Sequence, residues 1–287
     1  MPGTPSGLEP KLKHLTHFAD PIDDLAFVPT MGALHDGHLA LIKEARNYGS
    51  QVGVSIYVNP TQFESKDDLA KYPKTLEKDL TLAEQAGANF VWTPSVEEIY
   101  PEGISNVPLI PAGPLGDLYE GASRPNHFSG VLTVINRLFR ITNPQYAIFG
   151  EKDFQQLFLI RKFAQKNFPN ISIISGKTIR DESGLALSSR NARLTAEELK
   201  IAYVLSEAQR AVKDLTELGK IRETLERILK NRAGFTLDYI EVVNPETLLP
   251  ISEQSGDYVG RVQILLAGWI GSVRLIDNFS HEVKGQL

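Results

Sequence analysis

Cysteine is absent from all 287 residues, which excludes disulfides, thiolate nucleophiles, iron–sulfur clusters and cysteine-based zinc sites. Long apolar runs are missing too. The most apolar stretch, Ile264–Ile270, is far too short to span a bilayer. Met1–Leu15 has no apolar core of the kind a signal peptide needs. A soluble, cytoplasmic protein with no membrane partner is the expectation. Positive charge is not in excess: 30 Lys and Arg against 35 Asp and Glu leave a net charge of −5. That argues against a protein built to coat nucleic acid. What is present is globular in character, 42% hydrophobic and 23% charged, in a length that suits one or two domains.

Short β-branched apolar runs alternate with amphipathic segments, the pattern of βα units around a parallel sheet. Strands are expected at Leu25–Val28, Val52–Val58, Phe90–Trp92, Tyr146–Phe149 and Ile171–Ser175. Helices are expected over Gly37–Tyr48, Thr75–Gly87, Val131–Ile141 and Phe154–Asn167. Ser95–Pro125, rich in proline and glycine, reads as a loop, and a long loop inside a compact domain is more often functional than idle. After Arg180 the character changes. A capping box at Thr195–Glu198 starts one long helix, Ile221–Arg232 gives another, and strands follow at Leu237–Val243, Val262–Ala267 and Ser272–Asp277. The expected architecture is a doubly wound α/β domain over residues 1–180 and a smaller α+β domain over 181–287.

Phe27–His38 (FVPTMGALHDGH) is the most informative stretch. It runs from the carboxyl end of a buried strand into a helix, where doubly wound folds place ligands. A helix start offers unpaired N–H groups and a positive dipole to an anion. His35 and His38 share one side of the first turn, and Gly37 between them lets a ligand approach the backbone. Two surface histidines, or half of a metal site, are the plainer readings of the pair alone. In the context of strand, turn and glycine it resembles the His-x-Gly-His signature of the nucleotidyltransferase superfamily, which includes class I aminoacyl-tRNA synthetases.

Four further blocks narrow the resemblance: Val58–Phe63 (VNPTQF), Arg124–Val131 (RPNHFSGV), Phe149–Gln156 (FGEKDFQQ) and Leu187–Asn191 (LSSRN). With the histidine motif, in this order, the sequence closely resembles the pantoate–β-alanine ligase family. The resemblance implies condensation of pantoate with β-alanine, with ATP and Mg²⁺, through an enzyme-bound pantoyl adenylate. It also implies a Rossmann-like amino-terminal domain for nucleotide and pantoate, a smaller carboxyl-terminal lid, and a homodimer. Met31, Gly32, His35, Gly37, His38, Gly150, Lys152, Asp153, Ile179, Leu187, Ser188, Ser189 and Arg190 fall to ATP. Of these, His35, His38, Lys152, Ser188, Ser189 and Arg190 fall to the chemistry. Pro29, Met31, Asn59, Gln62, Val131, Val134 and Gln156 fall to pantoate and β-alanine, with Phe63 a further part of the apolar wall and Tyr72, like Asn59, a lesser candidate. Asp79, in the Tyr-Pro-x-Thr-Leu segment, falls to Mg²⁺.

Each residue has a plainer reading as well. Lys152 alone is a solvated charge that opposes a helix dipole. Ser188–Arg190 alone is a polar linker, the glutamines could be structural, the valines core, and Asp79 an acid on an exposed helix face. Tyr57 stands where phenylalanine is usual in the family, Leu187 where methionine is, and Arg137 where lysine is frequent. Tyr57 brings a hydroxyl that needs a partner. Three other functions compete. A nucleotidyltransferase acting on a phosphorylated alcohol shares the histidines without predicting the paired glutamines. A tRNA synthetase lacks support from any basic anticodon-reading domain. A nucleotide sensor that has lost catalysis would bind ATP and release no pyrophosphate.

Overall fold

The computed structural model describes residues 12–63, 69–70, 72–251 and 258–284. Residues 1–11, most of the segment read above for a leader, lie outside the described residues. The chain divides into two compact units, each drawing on three segments. The first takes residues up to 111, 126–149 and 160–176; the second takes 112–125, 150–159 and residues from 177 on.

The first unit is built on a six-stranded parallel sheet. Its strands are β1 (Lys13–Leu15), β2 (Leu25–Thr30), β3 (Gln51–Ile56), β4 (Phe90–Trp92), β5 (Tyr146–Gly150) and β6 (Ser172–Gly176), in the spatial order β1-β4-β3-β2-β5-β6. The helices are α1 (Asp36–Ala45), α2 (Leu76–Ala86), α3 (His127–Thr142) and, from residue 160 on, α4 (Phe154–Asn167). β2 is apolar almost throughout because both its faces are covered. Ala26 and Val28 pack with Ile42 and Ala45 of α1 and Ala83 and Ala86 of α2, while Leu25 and Phe27 alternate to the other side. Strand order reverses between β2 and β5. Ligands in such sheets bind beyond the carboxyl ends of the strands at the reversal, and the β2 end is where the Pro29–His38 segment begins.

The second unit has helices α5 (Ala196–Ala202), α6 (Val204–Ala211) and α7 (Leu218–Lys230), and a sheet of β7 (Thr236–Val243), β8 (Gly260–Ile270) and β9 (Val273–Val283). Both strand pairs are antiparallel. Leu205, Leu225 and Leu229 pack on Val262, Ile264 and Leu266 to form the core.

Elements and expectations agree in most places, but β9 runs on to Val283 where the expected strand stops at Asp277, and α3 starts at His127 rather than Val131; three further differences stand out. β1 is unexpected, since its Lys-His-Leu sequence has no apolar pattern; its ladder with β4, from Lys13–Phe90 to Leu15–Trp92, makes it a strand. The helix capped by Thr195 is two helices, not one. They meet at Tyr203, which ends the first and starts the second, and the Ser206 hydroxyl lies within hydrogen-bond reach of the Ser183 and Tyr203 carbonyls, at 2.8 and 2.9 Å. The Ser95–Pro125 loop holds single helical turns at Val96–Ile99 and Glu120–Ser123. Among the described residues no helix is long and apolar enough to cross a membrane.

Candidate active site

β2 ends where Thr30 caps it: its Oγ1 donates to the Ser55 carbonyl at 2.7 Å and accepts the Gly32 N–H at 3.1 Å. Gly32 (φ +81°) and Ala33 (φ +52°) then turn the chain toward α1. This turn is fastened from α2. Asp79 accepts the Ala33 N–H at 2.9 Å through Oδ2 and the Leu34 N–H at 2.8 Å through Oδ1, and the Thr75 hydroxyl reaches both oxygens. Asp79 is 1% exposed, and charge-assisted bonds to backbone N–H groups are the strong kind. Asp79 is therefore the anchor of the Met31–Leu34 turn. The expectation that it holds Mg²⁺ does not fit, because both oxygens are spent inside the first unit. Asp79 lies four and seven residues before the buried Ala83 and Ala86, so the helical stripe already placed it on the inner face. Asp79→Asn is expected to cost about 2–4 kcal/mol of stability, since an amide cannot accept at both positions. Chemical denaturation measures this, and a variant with native stability and an altered Mg²⁺ requirement would restore the metal role.

His35 and His38 form a reciprocal cap on α1. His35 Nδ1 accepts the Gly37 N–H at 3.1 Å, and His38 Nδ1 accepts the His35 N–H at 3.3 Å. The rings lie 4.1 Å apart. This is the geometry of a capping box with imidazoles in place of Ser/Thr and Glu. It changes the sequence reading of the helix start: those two N–H groups are taken by the histidines themselves. Because each Nδ1 is an acceptor, the proton of each neutral ring is on Nε2. The pair thus carries two oriented Nε2–H donors. Gly37 also has a task within the cap. A Cβ there would sit 2.8 Å from His35 Cε1, so its missing side chain makes room for the His35 ring.

A second turn, Pro60–Gln62, is held by its N-cap Asn59, which is 1% exposed. Asn59 Oδ1 accepts from the Tyr100 hydroxyl at 2.8 Å, and its Nδ2 donates to the Gly130 carbonyl at 3.2 Å and to Gln62 Oε1 at 3.1 Å. With Oε1 so engaged, Gln62 Nε2 lies 3.0 Å from Met31 Sδ. The structure thus brings Met31, Asn59 and Gln62 together. α3 approaches so closely that a Cβ on Gly130 would stand 2.2 Å from the Thr61 carbonyl oxygen. His127, which the sequence reading passes over, places Nδ1 3.0 Å from the Gln62 carbonyl. Val131 and Val134 are buried on α3, Pro29 is half-buried at the end of β2, and Phe63 meets Tyr72 edge-on.

The hydroxyl of Tyr57 is buried without a hydrogen-bond partner among the described residues. Burial, and then Tyr100 and Glu97, push this phenol well above its ordinary pKa. An orphaned hydroxyl costs stability. Tyr57→Phe should therefore leave thermal stability unchanged or raise it by up to about 1 kcal/mol; a clear fall in denaturation midpoint would show that the hydroxyl has a partner after all.

The second unit carries the remaining candidates. Gly150 is followed by the turn Glu151–Asp153, which leads into α4. Lys152 is 18% exposed at the side chain, with its Nζ 3.7 Å from Asp153 Oδ1. Ile179 and Leu187 face each other on a small hairpin, the Leu187 N–H donating to the Ile179 carbonyl at 2.9 Å. The hairpin delivers Ser188, whose Oγ accepts the Arg190 N–H at 3.2 Å and so caps the turn Ser189–Arg193. Lys152, Ser188, Arg190 and Arg274 line one small concavity. Gln156 is half-buried. Its neighbour Gln155 is the glutamine with a structural task, donating to the Leu115 and Leu118 carbonyls at 2.9 and 2.8 Å and accepting the Glu120 N–H at 3.1 Å.

Strand order, and a histidine-capped helix beyond the strand at its reversal, place the first unit in the Rossmann-like α/β class. A family model for pantoate-beta-alanine ligase matches residues 10–280. The pantothenate synthetase of Thermus thermophilus is 44% identical over 263 residues, covering 90% of this chain and 93% of that protein. A crystal structure of pantothenate synthetase from the same organism superposes with a TM-score of 0.87 at 40% identity, covering 93% of this chain and 99% of that one. The pantoate-beta-alanine ligase of Francisella tularensis, complexed with β,γ-ATP and β-alanine, superposes with a TM-score of 0.73 at 39% identity over 89% of each chain. The chain belongs to the pantoate–β-alanine ligase family, enzymes that form pantothenate.

Proposed function

We propose that the chain condenses pantoate with β-alanine at the expense of ATP, in two steps. A pantoate carboxylate oxygen attacks the α-phosphorus and pyrophosphate leaves, giving pantoyl adenylate. The β-alanine nitrogen then attacks the acyl carbon and AMP leaves with that carboxylate oxygen. Negative charge spreads over the phosphate oxygens in the first step, so fixed donors and cations are what the protein must supply. The observation that carries this reading is the His35–His38 cap, which fixes both Nε2–H donors beyond β2. The Francisella relative's complex with an ATP analogue and β-alanine supports the same substrates here.

In this reading His35 and His38 donate to the phosphates. Lys152, with Ser188, Ser189 and Arg190, neutralises the developing charge, and Met31, Gly32, Gly150, Asp153, Ile179 and Leu187 serve the nucleotide. Gln62 and Gln156 hold the pantoate hydroxyls, with Pro29, Met31, Val131 and Val134 as the apolar wall. Gln62→Ala is expected to raise the pantoate KM about tenfold or more, one or two hydrogen bonds' worth, with the ATP KM little changed. Unaltered pantoate saturation would remove Gln62 from the pocket.

Among the described residues no group of three His, Asp or Glu side chains is placed to hold a metal, and Asp79 is committed elsewhere. Mg²⁺ is accordingly read as riding on the ATP phosphates with few protein ligands, and no step depends on its placement. The homodimer rests on family resemblance, and the cytoplasmic location on the reading of the sequence alone. The test of the function is release of pyrophosphate and AMP from ATP and Mg²⁺ with pantoate, with and without β-alanine. Sustained AMP formation with all three substrates, pantothenate appearing in step, is expected. ATP binding without turnover would mean a sensor or a different acceptor.

A further inference from the structure

We infer that Asn278, in the middle of β9, is a positioning residue for Lys152. The inference rests on the reading that Lys152 stabilises the transferring phosphate. At its centre β9 reads Leu275-Ile276-Asp277-Asn278-Phe279, and the two polar residues of this run are both buried. Buried polar side chains in a strand cost free energy unless satisfied. Here they are satisfied by the segments that carry the proposed ATP residues.

Asn278 Nδ2 donates to two consecutive backbone carbonyls, Glu151 at 3.0 Å and Lys152 at 2.6 Å. Its Oδ1 accepts from Gln263 Nε2 on β8 at 2.6 Å, which fixes the amide with its donors toward the turn. Neighbouring Asp277 takes the Arg180 guanidinium on both oxygens, at 2.7 and 2.9 Å. Arg180 also donates to the Gly184 carbonyl at 3.0 Å, tying down the hairpin that leads to Ser188–Arg190. Adjacent residues of one rigid strand therefore hold the Lys152 turn and the serine–arginine hairpin. An ammonium on a flexible stem loses effect quickly when its backbone wanders, and a site supported by a packed strand avoids that.

A turn of three residues at a helix start has few constraints of its own. The two carbonyls fixed by Asn278 are those on either side of the Lys152 Cα, so they set the direction in which its side chain departs. Gln263 acts one step further back, by preventing the carboxamide from flipping.

The test is a double-mutant cycle with Asn278→Leu, which keeps the volume and removes the donors, and Lys152→Ala. Asn278→Ala, which lets water reach the two carbonyls, replaces it if the leucine variant does not fold. Pantoate-dependent ATP–pyrophosphate exchange should fall at least tenfold in the Asn278 variant, with the pantoate KM within twofold. In the Lys152→Ala background the same change should lower exchange by less than twofold, because the residue it positions is gone. An equal loss in both backgrounds overturns the inference.

Hydrogen–deuterium exchange of the full chain provides an arm that needs no activity. The Asn278 variant should raise exchange over residues 151–154 while β7 and β8 keep their protection. Unchanged protection over 151–154, or a general rise throughout the second unit, overturns the inference. Wild-type protein with no exchange activity would overturn the proposed function instead, and the deuterium arm would still decide whether Asn278 anchors the turn.

Discussion

Lys152→Ala is expected to lower pantoate-dependent ATP–pyrophosphate exchange by about 10²–10³-fold, the usual cost of deleting one fixed stabiliser of developing charge. The melting temperature should not fall. The side chain is 18% exposed, and its contact with Asp153 is loose at 3.7 Å. It sits in the turn that opens α4, where a cation opposes the helix dipole and an anion is welcome. In the free protein the ammonium is thus a small local cost, recovered when phosphate is present. Exchange rates and thermal unfolding, measured on the same preparation, separate the two effects. A variant with the wild-type exchange rate would remove Lys152 from the chemistry.

The largest stability effect is expected at Arg274. Its guanidinium donates to both oxygens of Glu120, at 2.6 and 2.7 Å, and to Asp238 Oδ2 at 2.9 and 2.7 Å. Tyr239 adds a hydroxyl donor to Glu120 at 2.9 Å. Arg274 and Glu120 are both under 10% exposed at the side chain. Burial alone would push the guanidinium down; the bonds to Glu120 and Asp238 outweigh it and hold the group above its ordinary pKa. Arg274→Ala strands the Glu120 carboxylate in the interior, and breaking a buried pair in this way costs about 3–5 kcal/mol. Removing both charges together, with Arg274→Met and Glu120→Leu, should recover most of that loss. Urea denaturation of the two variants checks the pair. Equal instability in both would mean that Glu120 is not the group left stranded.

Much of the fold is legible because burial imposes simple periods on sequence. β2 to β6 and α1 to α4 all follow from apolar runs and stripes, and α4 matches its expected span at both ends. β1 is not legible, since its strand character comes from the β4 ladder rather than from its own residues. The site is legible only in part. His35 and His38 stand out, but their reciprocal cap cannot be read from spacing, because imidazoles rarely take the places of serine and glutamate there. Asp79 reads by type as a solvated helix acid; its spacing to Ala83 and Ala86 places it on the inner face, and the Met31–Leu34 turn shows what it holds there. Gln155 and Gln156 are indistinguishable by type, and only the path of residues 115–120 shows which one is a clamp. Asn278 is not legible, since the expected strand stops at Asp277 and the carbonyls it holds belong to Glu151 and Lys152, more than a hundred residues away.

Activation of pantoate as an acyl adenylate is the chemistry on which the proposed roles depend. The direct measurement is turnover with pantoate labelled by ¹⁸O in its carboxylate, followed by mass analysis of the products. Attack of that carboxylate on the α-phosphorus requires AMP to carry one ¹⁸O, with unlabelled pyrophosphate. AMP without label, or ¹⁸O in inorganic phosphate alongside ADP, would contradict the adenylate and with it the roles given to His35, His38 and Lys152.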